Sequence, residues 1–510
     1  MYNAFQLLFR SAFVIDVAVG LATLWALRVA IQATQKKSRT TKLSGPKSTS
    51  LLFEVSRELF ESPDMGAMFE AWSKEYGVAY EVPMMAGQKQ IMVCDPKAVA
   101  YLFARDTWSY VRTPIITAAT GRWGLLWTEG ESHRRPLAPS FNSSVIQKLS
   151  LLIYKSVHRA NIDANGGGSV VLDVQKCLDS VGFAGFSYDL GSLDGKPNTM
   201  ISRRRPHTVL DNVVSLISFV FPMAMNVPTW RNKTLDKLRR RMLEVCDILV
   251  DNEGASSEQH SAIVRAEDED TGKRITREEV LAQISTLILA SYEITASTHC
   301  PSVVSCSCYN GIIICNHLRE ELLSFGGEPS YNQFTTGLPY LDVIVQETLR
   351  LYPAGQDWIR QADEDDVIPL SEPVRTKSGE VVDSIVVERG TEVGISVSCM
   401  NRSEAIWGPD AKVFRPDRWL EAGGVTKKAQ GVKGFRHLLM FGDGPRTCLG
   451  KWFAVAEIKT MLTVVVKNFV LEMRDGPDTR VEITRGITLR PKVAGESGIK
   501  VPLRTMPYEG

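Results

Sequence analysis

The sequence carries almost no net charge: 59 Lys and Arg stand against 58 Asp and Glu, a balance of +1. Without a basic or acidic excess, a nucleic-acid ligand or a strongly acidic partner has no electrostatic support, and any charge-guided docking must be local. A disulfide framework is missing too, because nine cysteines in 510 residues is an odd and sparse set, which reads as reduced thiols. After residue 50 there is no internal repeat, low-complexity tract or Ser/Pro-rich linker, so a solenoid or a string of modules is excluded. What remains is 44% hydrophobic and 23% charged residues, an ordinary globular balance. One large domain is expected over residues 46–510, behind an N-terminal segment, 1–45.

That segment is apolar from Ala12 to Ile31, close to the roughly 20 residues that span a bilayer. Arg28 lies near one end, where it can snorkel, and Asp16 near the other. Lys36, Lys37, Arg39, Lys42 and Lys47 follow the stretch, against Arg10 before it. The positive-inside rule then leaves the bulk of the chain in the cytoplasm, in keeping with reduced cysteines. A single transmembrane helix is expected, with a basic linker after it.

Val78 to Val82 and Gln90 to Val93 read as short strands bounded by Gly77, Gly87 and Pro96. From about Val145 to Ile284 helical periodicity dominates. Thr276 with Glu279 forms a capping box in front of an apolar helix through Ile284, Leu287, Ile288 and Ala290. The fold expected is mainly α with a small β portion.

The sharpest chemical signal is Phe441-Gly442-Asp443-Gly444-Pro445-Arg446-Thr447-Cys448-Leu449-Gly450, followed by the helix-forming run Lys451 to Leu462. A cysteine just ahead of a helix receives free backbone N–H groups and the positive end of the helix dipole, which favour a thiolate. Gly442 and Gly444 permit tight turns, Pro445 fixes φ beside them, and Phe441 offers an aromatic face. Paired ligands at zinc spacing are not present around Cys448. The run resembles the F-x-x-G-x-R-x-C-x-G signature of the cytochrome P450 family at every fixed position. The resemblance implies the cytochrome P450 fold and heme b, whose iron takes Cys448 as its axial thiolate and metal ligand.

Other segments extend the resemblance. Glu347 and Arg350 sit three apart in an apolar-periodic stretch, on one helix face. Phe414 to Trp419 looks like the family's aromatic-x-Pro-x-Arg segment, in which Arg418 completes a buried network with Glu347 and Arg350. Arg360 and Arg446 resemble the arginines that pair a heme propionate. Met400 to Glu404 and Ile406 to Asp410 resemble fungal microsomal members.

The sequence departs from the family in three places. Ala290 to Thr295 resembles the oxygen-activation motif, but Ser291 replaces its glycine and Ile294 its threonine. Glu293 keeps the acid, and Thr295 lies about 100° further round the helix; these two are the candidate catalytic residues. At His133 to Leu137 about one helical turn is missing relative to the family, and Pro136 makes the helix irregular. From Cys300 to Cys315 β-branched runs replace an amphipathic helix, and Cys300, Cys306, Cys308 and Cys315 lack paired metal spacing.

The resemblance implies a monooxygenase that uses O2 to oxidise a hydrophobic small molecule such as a terpenoid, steroid or aromatic xenobiotic. It implies electrons from NADPH through NADPH-cytochrome P450 reductase, docking near Lys433, Arg436 and Lys451, and a place on the endoplasmic reticulum membrane with the catalytic domain facing the cytoplasm. A basic surface without a docking role fits those three residues equally well. Two alternatives stay open: a heme-thiolate isomerase or dehydratase independent of O2, and a non-enzymatic heme or lipid binder.

Overall fold

The computed structural model describes residues 39–50, 54–113, 134–162, 170–173 and 309–509, except 63, 477, 486–488 and 497–500, with a few scattered positions such as Gly20. The chain falls into two compact units. One is drawn from Met1–Leu102, Ser109–Val111 and Ile359–Ser396, the other from Phe103–Trp108, Arg112–Trp358 and Val397–Gly510.

The first unit is built on a sheet of strands β1 (Ala79–Pro83), β2 (Lys89–Val93), β3 (Tyr110–Val111), β4 (Asp357–Ala362) and β7 (Glu392–Ser396), with β5 (Asp366–Arg375) and β6 (Val381–Val387) as a separate hairpin. The sheet order is β1-β2-β7-β4-β3. β1 and β2 correspond to the strands expected from Val78 to Val82 and from Gln90 to Val93, and they pair antiparallel with Ala79 opposite Val93. Tyr80, Val82, Ile91 and Val93 are buried along them, which is what β-branched and aromatic residues on a covered sheet provide. Helix α1 (Met65–Tyr76) starts at Asp64, whose carboxylate accepts the Ala67 N–H at 3.0 Å. Helix α2 (Pro96–Ala104) starts at Asp95, which accepts the Ala98 N–H at 2.9 Å. Both are side-chain caps of orphan backbone donors, and proline suits the first helical position of α2.

The second unit is organised around helices α3 (Ser143–Ile162), α4 (Tyr309–Phe325), α5 (Pro339–Leu351), α6 (Val397–Arg402) and α7 (Lys451–Asn468). α7 outruns the stretch expected from Lys451 to Leu462. From Val455 to Val466 every one of its residues is buried, so it is a core helix rather than an amphipathic surface one; it packs against α3, α4 and α5. α4 passes through Gly311-Ile312-Ile313-Ile314-Cys315, where the β-branched run argues against a helix. Packing overrides propensity there: Cys315 is buried, and Arg319 donates from Nε to the Val466 carbonyl at 2.9 Å and from Nη2 to Phe469 at 2.7 Å. Those bonds satisfy carbonyls at the C-terminal end of α7.

No helix among the described residues is long and apolar enough to cross a membrane. The expected span Ala12 to Ile31 lies, Gly20 apart, outside the described residues.

Candidate active site

The loop that carries Cys448 is folded by its glycines. Gly442 and Gly444 have φ of 66° and 67°, the left-handed region that a Cβ disfavours. At Gly444 a Cβ would also lie 2.2 Å from the Phe103 carbonyl oxygen, and at Gly442 it would lie 3.1 Å from the Trp358 ring. The loop is closed by the Cys448 N–H donating to the Phe441 carbonyl at 2.8 Å and the Thr447 N–H donating to Gly444 at 3.1 Å. Gly450 then caps α7.

The Cys448 side chain is accessible, in a loop that is half-buried or exposed from Asp443 to Gly450. Burial pushes the thiol above its ordinary value; the Gly450 N–H and the charges of Arg134 and Lys451 pull it back without prevailing. The helix-terminus donor read from the sequence is present in the Gly450 N–H.

Several elements of the second unit converge on the loop. The Phe103 and Trp358 rings meet edge to face at 5.7 Å, with Trp358 beside Gly442. Phe141 lies against Gly450. Arg134, whose charge reaches Cys448, lies in the described helical residues Arg134–Leu137, which pass into the 3-10 turn Ala138–Phe141.

Glu347, Arg350 and Arg418 form one network, each with no exposed side-chain surface. Arg350 binds both Glu347 oxygens, Nε to Oε2 at 2.9 Å and Nη2 to Oε1 at 2.8 Å, and Arg418 Nε donates to Oε1 at 3.0 Å. Trp419 Nε1 donates to Oε2 at 3.0 Å and the Arg415 N–H to Oε1 at 2.9 Å. The remaining guanidinium N–H groups reach the carbonyls of Asn401, Ala411, Val413 and Asp410. Arg418 also binds Asp410 Oδ1 at 3.0 Å. Burial works against the Asp410 charge, but Arg418 and Arg415 outweigh it and hold the carboxyl below its usual range.

Arg446 is nearly buried. Its Nη2 donates to Thr107 Oγ1 at 2.9 Å, and its Nε lies 3.7 Å from Asp106. Arg360 falls in the first unit, half-buried on β4, with Nη1 donating to the Ile359 carbonyl. Phe441 is buried and meets Phe435 edge to face at 5.3 Å. Glu293 and Thr295 lie outside the described residues.

Sequence reasoning missed Asp106, Thr107, Asp342 and Lys459. Lys459 could have been found, because a lysine between Ile458 and Met461 in a mostly apolar helix calls for an acidic partner. That partner is Asp342, at 2.5 Å. Arg436, read as a docking residue, is also held by Asp342.

Comparison with known proteins agrees with this geometry. The cytochrome P450 family model matches residues 52–494. Cytochrome P450 monooxygenase claP of Ampulloclitocybe clavipes is 41% identical, with 97% of this chain and 98% of the relative covered. Cytochrome P450 monooxygenase claQ of the same fungus is also 41% identical, over 97% and 98%. Cytochrome P450 monooxygenase 205 of Postia placenta is 27% identical, over 96% and 97%. A match of this length, on a chain whose cysteine loop and Glu-Arg-Arg network close as described, is decisive: the chain belongs to the cytochrome P450 family, and with it to the mainly helical, heme-thiolate monooxygenases.

Proposed function

We propose that this protein is a membrane-anchored monooxygenase, residues 1–45 forming the anchor and 46–510 the catalytic domain, in which Cys448 is the axial ligand of heme b. It oxidises a hydrophobic small molecule with O2 and electrons passed from NADPH by cytochrome P450 reductase, on the cytoplasmic face of the endoplasmic reticulum. The observation that carries this reading is the accessible Cys448 thiol set in a glycine-shaped turn just ahead of α7. The residues fit the group. Trp358 and Phe141 flank the loop, no Cβ fits at Gly444, and positive charge from Arg134 and Lys451 faces the sulfur.

The bound heme supplies activation of O2 and transfer of one oxygen atom to the substrate, the second leaving as water. The chain's own residues hold and orient it. Cys448 supplies the sulfur, and Phe441 and Gly442 shape the loop beneath it. Arg446 and Arg360 would pair the propionates, while Glu347, Arg350 and Arg418 would serve as a structural network that touches no reacting atom. Glu293 and Thr295 would carry protons, a task for which the Ile294 side chain has no group. Lys433, Arg436 and Lys451 serve reductase docking, Arg436 being also engaged by Asp342.

The test is the reduced carbon monoxide spectrum of the full chain expressed in microsomes with a reductase, followed by turnover of a panel of apolar compounds. A red-shifted Soret band that Cys448→Ser abolishes supports the reading; an imidazole-type spectrum removes Cys448 from its role. Ile294, where the family carries threonine, favours one second reading, an isomerase or dehydratase. Conversion of hydroperoxides without NADPH or reductase distinguishes it.

A further inference from the structure

The described partners of the Glu347 network all lie at 347–350 or at 401–419. None of those partners lies in the loop itself. Beside the network an open cleft of about 380 Å3 has Gln346, Arg418 and Trp419 in its lining together with Arg436 and His437. Something else must tie α5 to the loop.

We propose that Asp342 is a positioning residue for the Cys448 loop, acting through Arg436. Asp342 lies in the first turn of α5. Its Oδ1 accepts from Lys459 Nζ at 2.5 Å, while Oδ2 accepts from Gln346 Nε2 at 2.7 Å and from Arg436 Nη1. One carboxylate therefore joins α5, the buried middle of α7 and the turn that leads into the cysteine loop. Lys459 is 2% exposed and also donates to the Phe334 carbonyl, so the Lys459 end of the tie is rigid.

The Arg436 end is where force is needed. Arg436 and His437 sit at φ of 51° and 66°, two successive side-chain-bearing residues in the left-handed region, each costing about 1–2 kcal/mol. Gly434, at φ 125°, completes the bend, and a Cβ there would lie 2.5 Å from the Leu438 carbonyl oxygen. The bend closes with the Leu438 N–H donating to Phe435 at 3.0 Å. Such a turn persists only where the surroundings over-determine it, and the Asp342–Arg436 pair is the charged contact that does so. From the bend the path to sulfur is short. The Arg436 guanidinium lies over the Phe435 ring, 5.4 Å from its centroid. Phe435 meets Phe441 and Trp452 edge to face, and the Phe441 carbonyl receives the Cys448 N–H. Releasing Asp342 lets the bend relax, shifts Phe441 and loosens the backbone of the ligand.

The inference rests on Cys448 being the axial ligand, and the experiment separates the two. Asp342→Asn keeps the size of the side chain and removes its charge; Arg436→Ala removes the pair and keeps the strained φ; Arg436→Gly removes the pair and relieves the strain. Hydrogen exchange of the Leu438 and Gly442 amides is measured on each holoprotein, with the fraction of its reduced carbon monoxide complex that lacks the red-shifted thiolate band. Expected are about tenfold faster exchange in Asp342→Asn and Arg436→Ala, with a raised unshifted fraction, and substantial recovery of both in Arg436→Gly, since one left-handed residue is worth about a factor of ten. Equal behaviour of Arg436→Ala and Arg436→Gly, or a wild-type spectrum and exchange in Asp342→Asn, overturns the proposal. Should Asp342→Asn not accumulate, the Arg436 pair of variants decides alone, on a side chain that is 30% exposed. A wild-type protein without the thiolate band refutes the ligand assignment and leaves the exchange comparison standing as the test of the strap.

Discussion

Arg446 and Thr107 meet across 339 residues of chain, Nη2 donating to Oγ1 at 2.9 Å, and Thr107 makes that contact from a backbone at φ 81°. A β-branched residue with positive φ is a true outlier, and at 5% exposure it is buried as well. The strain aims a hydroxyl at a guanidinium two residues before Cys448. Thr107→Val keeps the branch and the strain and deletes the acceptor. A hydrogen bond to a charged group is worth about 1.5–3 kcal/mol, so with Arg446 on a propionate, heme transfer to an apo-globin acceptor is expected to accelerate by about tenfold or more. An unchanged rate means that Thr107 does not hold Arg446.

Glu347 neutralises two guanidinium groups at zero exposure. Removing one partner of such a buried set costs about 3–5 kcal/mol, because charge is stranded away from water. Glu347→Ala is expected to yield protein without heme, and Glu347→Gln to fare nearly as badly, since an amide supplies no counter-charge. Recovery of full pigment in either variant, scored as absorbance per unit of purified protein, contradicts this.

Asp410 predicts how the same region responds to acid. Its carboxyl is depressed: burial opposes the charge, and Arg418 and Arg415 overcome it. A depressed acid contributes stability that is whole above its unfolded value, about 4, and that is lost as pH falls through the lower folded value. The difference in unfolding midpoint between wild type and Asp410→Asn should be constant from about pH 5 upward and shrink below about pH 4. A difference that persists unchanged in acid would show that the carboxylate charge plays no part.

How much of this was legible from sequence depends on whether a residue's partner is local. Cys448, its glycines and the Glu347/Arg350 pair are close in the chain, and their spacing alone placed them on a turn and on one helix face. The strands at Ala79–Pro83 and Lys89–Val93 were legible for the same reason, being bounded by their own turn residues. Thr107 and Asp342 were not. Thr107 is exceptional only for its backbone angle, which no residue type announces, and Asp342 reads as an ordinary first-turn acid until Lys459 and Arg436 arrive from elsewhere. The β-branched run before Cys315 pointed the wrong way because its helix is dictated by what it packs against.

The two glycines of the loop offer a comparison in which one variable is controlled. Gly442 and Gly444 share nearly the same φ, 66° and 67°, so an alanine at either incurs a similar backbone penalty of about 1–2 kcal/mol. Their surroundings differ. The added Cβ at Gly442 would come 3.1 Å from the Trp358 ring, a side chain that can give by a few tenths of an ångström, whereas at Gly444 it would come 2.2 Å from a backbone oxygen of Phe103. Phe103 cannot retreat freely, because its ring is buried against Trp358. Gly444→Ala should therefore be the more damaging by denaturant midpoint and should also displace the loop, lowering the thiolate-ligated fraction, while Gly442→Ala loses stability with its ligation largely kept. Equal losses in the two variants would mean that backbone conformation alone, and not the approach of Phe103, determines why glycine stands at 444.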